Sequence, residues 1–243
     1  MSANAVPQVP RSVRGPFSAT EGQLTTLKWI GVAAMVVDHI GRYSFGLGLD
    51  SWAFAVGRIA FPIFAAVLGI HLARYGTEPA RIARTAWRLA IWAALSAVPS
   101  WLAREEWLPV NVFATLALGA MCCLAGGVRG SVAKVGALVV LLMMAVFVEF
   151  SVPGVLLVWT VYAWACRPTG SGAAIGCAAA IVGLGLTNGL FGGSGAALGS
   201  IAGVGAVAAA GLLPTASRRT KWFFYSVYPA HLLAIGVALA FQR

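Results

Sequence analysis

The sequence predicts an all-α, polytopic membrane helix bundle of about nine transmembrane helices, and three observations carry that prediction. Hydrophobic residues fill 60% of the 243 positions, charged residues only 10%, and the mean hydropathy is +0.85. A water-soluble domain of this size has too little interior to hide so much apolar surface, so lipid must cover it. Apolar runs recur at about the 17 to 25 residues that cross a bilayer core. Gly, Pro and charged clusters fall between those runs, where turns are needed.

In chain order, residues 1–23 contain Pro, Ser and Arg but no apolar stretch of the signal-peptide kind, and read as a partly disordered cytoplasmic lead-in. Residues 24–243 form the membrane domain. Its helices are expected near 24–44, 52–75, 81–102, 109–126, 131–149, 152–166, 171–190, 194–213 and 221–241. The seventh and eighth are rich in Gly and Ala, which favours close helix packing over a ligand role, and they fit either two spans or one re-entrant pair. Orientation follows from the basic residues, which are retained on the cytoplasmic side. With the N-terminus inside, thirteen of the seventeen Lys and Arg fall at inner helix ends, leaving only Arg42, Arg58, Arg104 and Arg243 elsewhere.

The formal charge of +10 is therefore a feature of helix ends and anionic headgroups, and argues against nucleic acid as a partner. Cys122, Cys123, Cys166 and Cys177 lack the C-x-x-C spacing of a metal or redox site and read as core residues. No metal is expected.

Ionisable groups inside apolar runs cost about 2.5 to 3.5 kcal/mol each on insertion scales and so point to function. The first helix holds Lys28, Asp38 and His39. Eleven residues at about 100° each return Lys28 and His39 to nearly the same face, separated along the axis by roughly 16 Å. Lys28 then belongs at the inner headgroups, where a lysine also commonly snorkels, and His39 belongs toward the outer leaflet. Asp38 projects about 100° from His39 and is expected to meet Arg58 across the helix interface. Arg58 sits four residues before Pro62, which weakens the backbone ladder there; it has Asp38, Glu149 or an anionic substrate group as partners. Asn111 follows Pro109 and either donates to a substrate carbonyl or caps its helix. In the last helix Tyr225, Tyr228 and His231 share an i, i+3 face, with Tyr225 read as part of an aromatic belt. His71 reads as a satisfied interfacial residue.

These residues carry a resemblance. Leu27-Lys28, Met35 and Asp38-His39-Ile40, then Gly57-Arg58-Ile59-Ala60-Phe61-Pro62-Ile63-Phe64, then Phe224-Tyr225 with Tyr228-Pro229-Ala230-His231-Leu232, resemble the TraX family of conjugative-transfer proteins, including its TrbP-type members. The resemblance runs from about residue 24 to 235. It implies N-terminal acetylation of a pilus subunit at the bacterial inner membrane, and a relation to membrane acyl-CoA acyltransferases. Part of that group has a basic residue separated from a histidine by ten others, as Lys28 is from His39.

On that reading acetyl-CoA, as donor substrate, docks with Lys28, Arg74 and Lys221 on its phosphates, and His39 deprotonates the attacking amine of the pilin. Amide formation also needs a donor for the developing oxyanion, which Arg58 or Asn111 supplies. Asp38 joins His39 and Arg58 in the catalytic group; Asn111, Glu149, Tyr228 and His231 are expected around the acceptor. The competing readings are a pilin processing or cyclisation factor, for which Ser44, Ser96 and Ser100 lack an evident base, a transporter, and a structural assembly partner.

Overall fold

The first helix, α1 (Glu21–His39), starts at a capping box. Thr20 Oγ1 accepts from the Gln23 backbone N–H at 3.3 Å, and the Gln23 side chain accepts from the Thr20 N–H at 2.8 Å, satisfying two of the orphan donors of a helix start. The helix therefore begins three residues before the expected position 24. In this computed structural model the described residues are 18–75, 78–127, 130–216 and 221–241. Most of the lead-in, and Arg11, Arg14, Arg129, Arg218, Arg219 and Arg243 of the orientation argument, lie outside them.

Beyond His39 the helix widens into a π turn, Ile40–Ser44, with the Phe45 N–H reaching the Ile40 carbonyl at 3.2 Å. Helix α2 (Trp52–Gly57) is capped by Ser51, and α3 (Ala60–Tyr75) follows after a break at Arg58 and Ile59. Pro62 causes that break, having no N–H for the Arg58 carbonyl and a ring that crowds it. The remaining helices are α4 (Pro79–Arg104), α5 (Val112–Ala125), α6 (Ser131–Met144) with a 3₁₀ turn Ala145–Phe147, α7 (Ser151–Cys166), α8 (Ser171–Ala208) and α9 (Lys221–Ala240).

Helix α8 is two rods. Gly192 and Gly193 leave helical geometry, Gly193 at φ 68°, a conformation glycine adopts without cost. Asn188 donates to Ser200 Oγ at 2.8 Å, which folds 194–208 back along 171–191 as a hairpin. The small residues do what their spacing predicted: a Cβ on Gly199 would lie 2.1 Å from the Ala55 carbonyl, and one on Gly203 2.5 Å from that of Ile59. Glycine is what lets this hairpin press against the α2–α3 break.

Among the described residues, Trp52–Arg74, Ser171–Ala208 and Trp222–Ala240 are long and apolar enough to cross a membrane, and Val112–Ala125, Ser131–Phe147 and Ser151–Cys166 are shorter apolar helices. Helix α3 lies at the centre, packed on α1, α7 and α8, while α4 packs between α5 and α9. Phe61, Ile63 and Ile70 of α3, with Leu157, Val158 and Val161 of α7, are fully enclosed. The periphery is just as apolar. Helix α6 has no buried residue, and α4 turns Trp87, Ile91, Leu95 and Val98 outward at helical spacing. Such a continuous apolar exterior suits lipid and not water.

Candidate functional site

Two ends of the bundle hold its ionic groups. At one end the start of α1 meets the end of α3: Arg74 Nη1 donates to Glu21 Oε1 at 2.9 Å, Arg74 Nη2 donates to the Ala19 carbonyl, and His71 Nδ1 lies 3.7 Å from Glu21 Oε2. Arg74 thus clasps two helices, a structural role that the sequence did not assign to it beside the phosphate contact expected there. His71 fits its expected satisfied role. Lys28 lies about two turns beyond Glu21 along α1, its Nζ 4.8 Å from the centre of the Phe224 ring of α9. The side chain of Lys221 lies outside the described residues.

At the other end, Asp38 and His39 diverge as neighbours on a helix must. Asp38 faces the α2–α3 break, where Arg58 Nη2 donates to its Oδ2 at 2.7 Å, the pairing expected from the sequence. Gly57 makes room for it: a Cβ there would lie 2.3 Å from the Asp38 Cβ. The Arg58 guanidinium is sandwiched, 4.1 Å from the Phe54 ring centre and 5.2 Å from that of Phe150. Both charged residues are buried, yet Asp38 Oδ1 and Arg58 Nε have no hydrogen-bond partner among the described residues.

His39 faces α9 instead. Its Nδ1 lies 2.6 Å from His231 Nε2, and His231 Nδ1 lies 2.7 Å from the Val227 carbonyl. Tyr228 and Tyr43 stand around the His39 ring at centroid distances of 6.1 and 5.8 Å. The hydroxyl of Tyr228 is 3.3 Å from Ser100 Oγ, and Tyr225 accepts from Arg88 Nε at 3.2 Å. So the inward stripe on α9 is present, with Tyr228 and His231 deep in it.

Asp38, His39, Arg58, Glu149 and Tyr228 line one cavity of about 20 Å³, closed by Phe61, Phe64 and Phe150. That volume holds little more than one water molecule. Lys28 is not among its lining residues. Lys28 and His39 therefore share the side of α1 that faces α9, as predicted, but α9 covers that side instead of leaving a groove along it.

Glu149 reaches the cavity from the turn before α7. Its N–H donates to the Val110 carbonyl at 2.8 Å, and its own carbonyl accepts from Thr115. The next two residues, Phe150 at φ 64° and Ser151 at φ 47°, hold left-handed backbone that costs on the order of 1 to 3 kcal/mol per non-glycine residue. The return is position: Phe150 stacks on Phe61 at 3.9 Å and walls the cavity. Asn111 takes the capping role of its two expected ones. Its Oδ1 accepts from the Phe113 N–H at 3.2 Å and its Nδ2 donates to the Ala93 carbonyl at 2.8 Å, so both ends of the amide are engaged within the protein.

Electrostatically the cavity is mixed. Arg42, Arg58 and Arg104 are close enough for their charges to act on both His39 and Glu149, and Asp38 also acts on Glu149. A buried imidazole that shares a cavity with Arg58 and two carboxylates can exchange a proton and stabilise developing negative charge. Among the described residues no three His, Cys, Asp or Glu side chains converge as metal ligands would.

The comparisons agree with the motifs at this site. A family model described as TraX protein matches residues 23–238. Two relatives named Protein TraX, one from Escherichia coli strain K12 and one from Escherichia coli, are 38% and 34% identical over 101 residues, 41% of this chain. The match spans only 38% of the length of either relative. No solved structure matches the chain. Since the family match runs almost from end to end and contains every site residue placed above, this chain belongs to the TraX family.

Proposed function

We propose that this protein is an inner-membrane enzyme that transfers an acetyl group from acetyl-CoA to the N-terminal amine of a conjugative pilin subunit. The observation that carries this reading is His39: a buried imidazole, held by a second imidazole, opening on a cavity that it shares with Arg58 and two carboxylates. Structural histidines inside apolar helices have no use for such company.

The reading includes the topology expected from the sequence. Counting α2 with α3 as one crossing and the two arms of α8 as two, the described helices would supply the nine passes of this topology, with the N-terminus assigned to the cytoplasm from the basic residues. Lys28 then stands nearer the inner face for the phosphates of the nucleotide, with Lys221 assigned to them from sequence alone. His39 stands deeper, for the acceptor of a pilin lodged in the same membrane.

In the transfer, the amine nitrogen bonds to the acetyl carbonyl carbon as His39 takes the amine proton. The carbon–sulfur bond breaks, and the proton passes to the departing thiolate. Arg58 supplies the positive charge for the oxyanion, Asn111 being engaged as a cap. A cavity of about 20 Å³ admits an amine nitrogen but not a thioester beside it, so both substrates bind only when α9 yields from α1.

Intact-mass measurement of pilin from cells with the wild-type protein, with His39→Gln, and with neither, tests the proposal. Pilin gains one acetyl group only with wild type; His39→Gln lowers the rate by about 10²-fold or more, as loss of a general base does. Equal pilin mass in all three cells would overturn the reading and favour an assembly role.

A further inference from the structure

Resting on the transferase reading, we infer that His231 is a positioning residue that fixes the tautomer of His39 through a directed hydrogen-bond chain starting at the Val227 carbonyl. The chain can be oriented from one fixed point. A carbonyl oxygen only accepts, so His231 Nδ1, 2.7 Å from it, carries the hydrogen. A neutral imidazole has a single N–H, so His231 Nε2 presents a lone pair. His39 Nδ1, 2.6 Å away, is then the donor, and the lone pair of His39 falls on Nε2.

The ring geometry agrees with a bond in the plane of both rings. The two rings are 9° from parallel with centroids 4.9 Å apart, which exceeds the 2.6 Å nitrogen contact by about one ring width. They therefore meet edge to edge and not face to face, as a linear N–H···N bond requires. Tyr228, edge-on to both rings at 6.1 and 5.8 Å, keeps them there.

The consequence is chemical. His39 Nε2 is the nitrogen left to take the amine proton, and when it does, the resulting imidazolium already directs its Nδ1–H at a lone pair. His231 keeps its Nδ1–H over the cycle, because that hydrogen is directed at a carbonyl that cannot take it, while its Nε2 lone pair goes on accepting from the His39 Nδ1–H. The proton goes from the amine to His39 Nε2 and then to the thiolate, while the new carbon–nitrogen bond replaces carbon–sulfur.

The chain holds only three histidines, so ¹⁵N-histidine NMR of the full-length protein in lipid nanodiscs reads the tautomers directly, with single variants at His39, His71 and His231 as assignments. At neutral pH both His39 and His231 should show a protonated Nδ1 and a bare Nε2. A wild-type His39 protonated on Nε2 would overturn the inference. His231→Leu should release His39 to the mixed tautomers of a free imidazole, whereas His231→Gln, whose amide oxygen still accepts, should hold it.

In acetyl transfer His231→Leu lowers kcat on the order of 10²-fold with KM for acetyl-CoA unchanged, and His231→Gln restores most of it. Wild-type kcat in His231→Leu would overturn the positioning role. The expected tautomers in a protein that transfers no acetyl group would instead sink the transferase reading and leave the hydrogen-bond chain standing.

Discussion

At the Glu21 end of the bundle, a carboxylate that is 40% exposed meets the buried Arg74 at 2.9 Å and His71 at 3.7 Å in a cluster that ties α1 to α3. At the His39 end, the buried Asp38 receives a hydrogen bond from Arg58 and, among the described residues, its other oxygen has no partner beside the cavity. The same residue types thus do different work. Where the groups pair off near the bundle end, the charges act as fasteners and burial costs little. Where they stay only partly paired in a buried interior, the cost is tolerated only if the charges have a further task.

That contrast is broken most severely at Arg58. Arg58→Met leaves Asp38 as an unpaired buried carboxylate, and losing one partner of a buried pair costs about 3 to 5 kcal/mol. Thermal unfolding in detergent should show that loss, and Asp38→Asn combined with Arg58→Met should recover part of it. If Arg58→Met unfolds like wild type, the pair is not buried as described and the two ends are alike.

Gly57 sharpens the comparison, since it decides whether Asp38 can reach Arg58 at all. The Gly57→Ala methyl falls 2.3 Å from the Asp38 Cβ, on backbone that α8 already presses from the other side at Gly199. Overpacking of this kind costs about 1 to 3 kcal/mol. The expected outcome is a lowered melting temperature together with lost pilin acetylation, because displacing Asp38 also displaces Arg58. Unchanged stability would mean that α1 and α2 have room to part.

Much of this layout was legible in the sequence. Hydropathy located the helices to within a few residues, because the turns between them carry Gly, Pro and charge. The Asp38–Arg58 pair followed from the 100° step between Asp38 and His39. The His39–His231 contact did not, since the rotation of α9 against α1 is set by packing over 192 residues of separation and leaves no local trace. The Arg74–Glu21 pair is hidden for a nearer reason. Hydropathy places Glu21 in the lead-in, where Arg74 has no visible partner, whereas Thr20-Glu21-Gly22-Gln23 is a capping-box signature that puts Glu21 in the first turn of α1. The left-handed pair Phe150 and Ser151 was illegible, as neither residue type announces positive φ.

The smallest effect is expected at the other end. Glu21→Gln removes the charge that Arg74 and His71 share but keeps an amide oxygen for Arg74, and the Glu21 side chain is 40% exposed. Water and headgroups reach the Glu21 position, and the retained amide oxygen still accepts from the buried Arg74, so the loss in stability should be about 1 kcal/mol, smaller than at the fully buried Asp38–Arg58 pair. Raising the ionic strength should narrow even that difference, since the exposed part of the Glu21 carboxylate is screened within a Debye length of about 10 Å at 0.1 M salt. Pilin acetylation should stay at the wild-type level, because the cluster lies at the opposite end of α1 from His39. A Glu21→Gln protein with normal melting but lost acetylation would show that the clasp of α1 on α3 reaches the distant cavity, and the division between a fastening end and a reacting end would have to be given up.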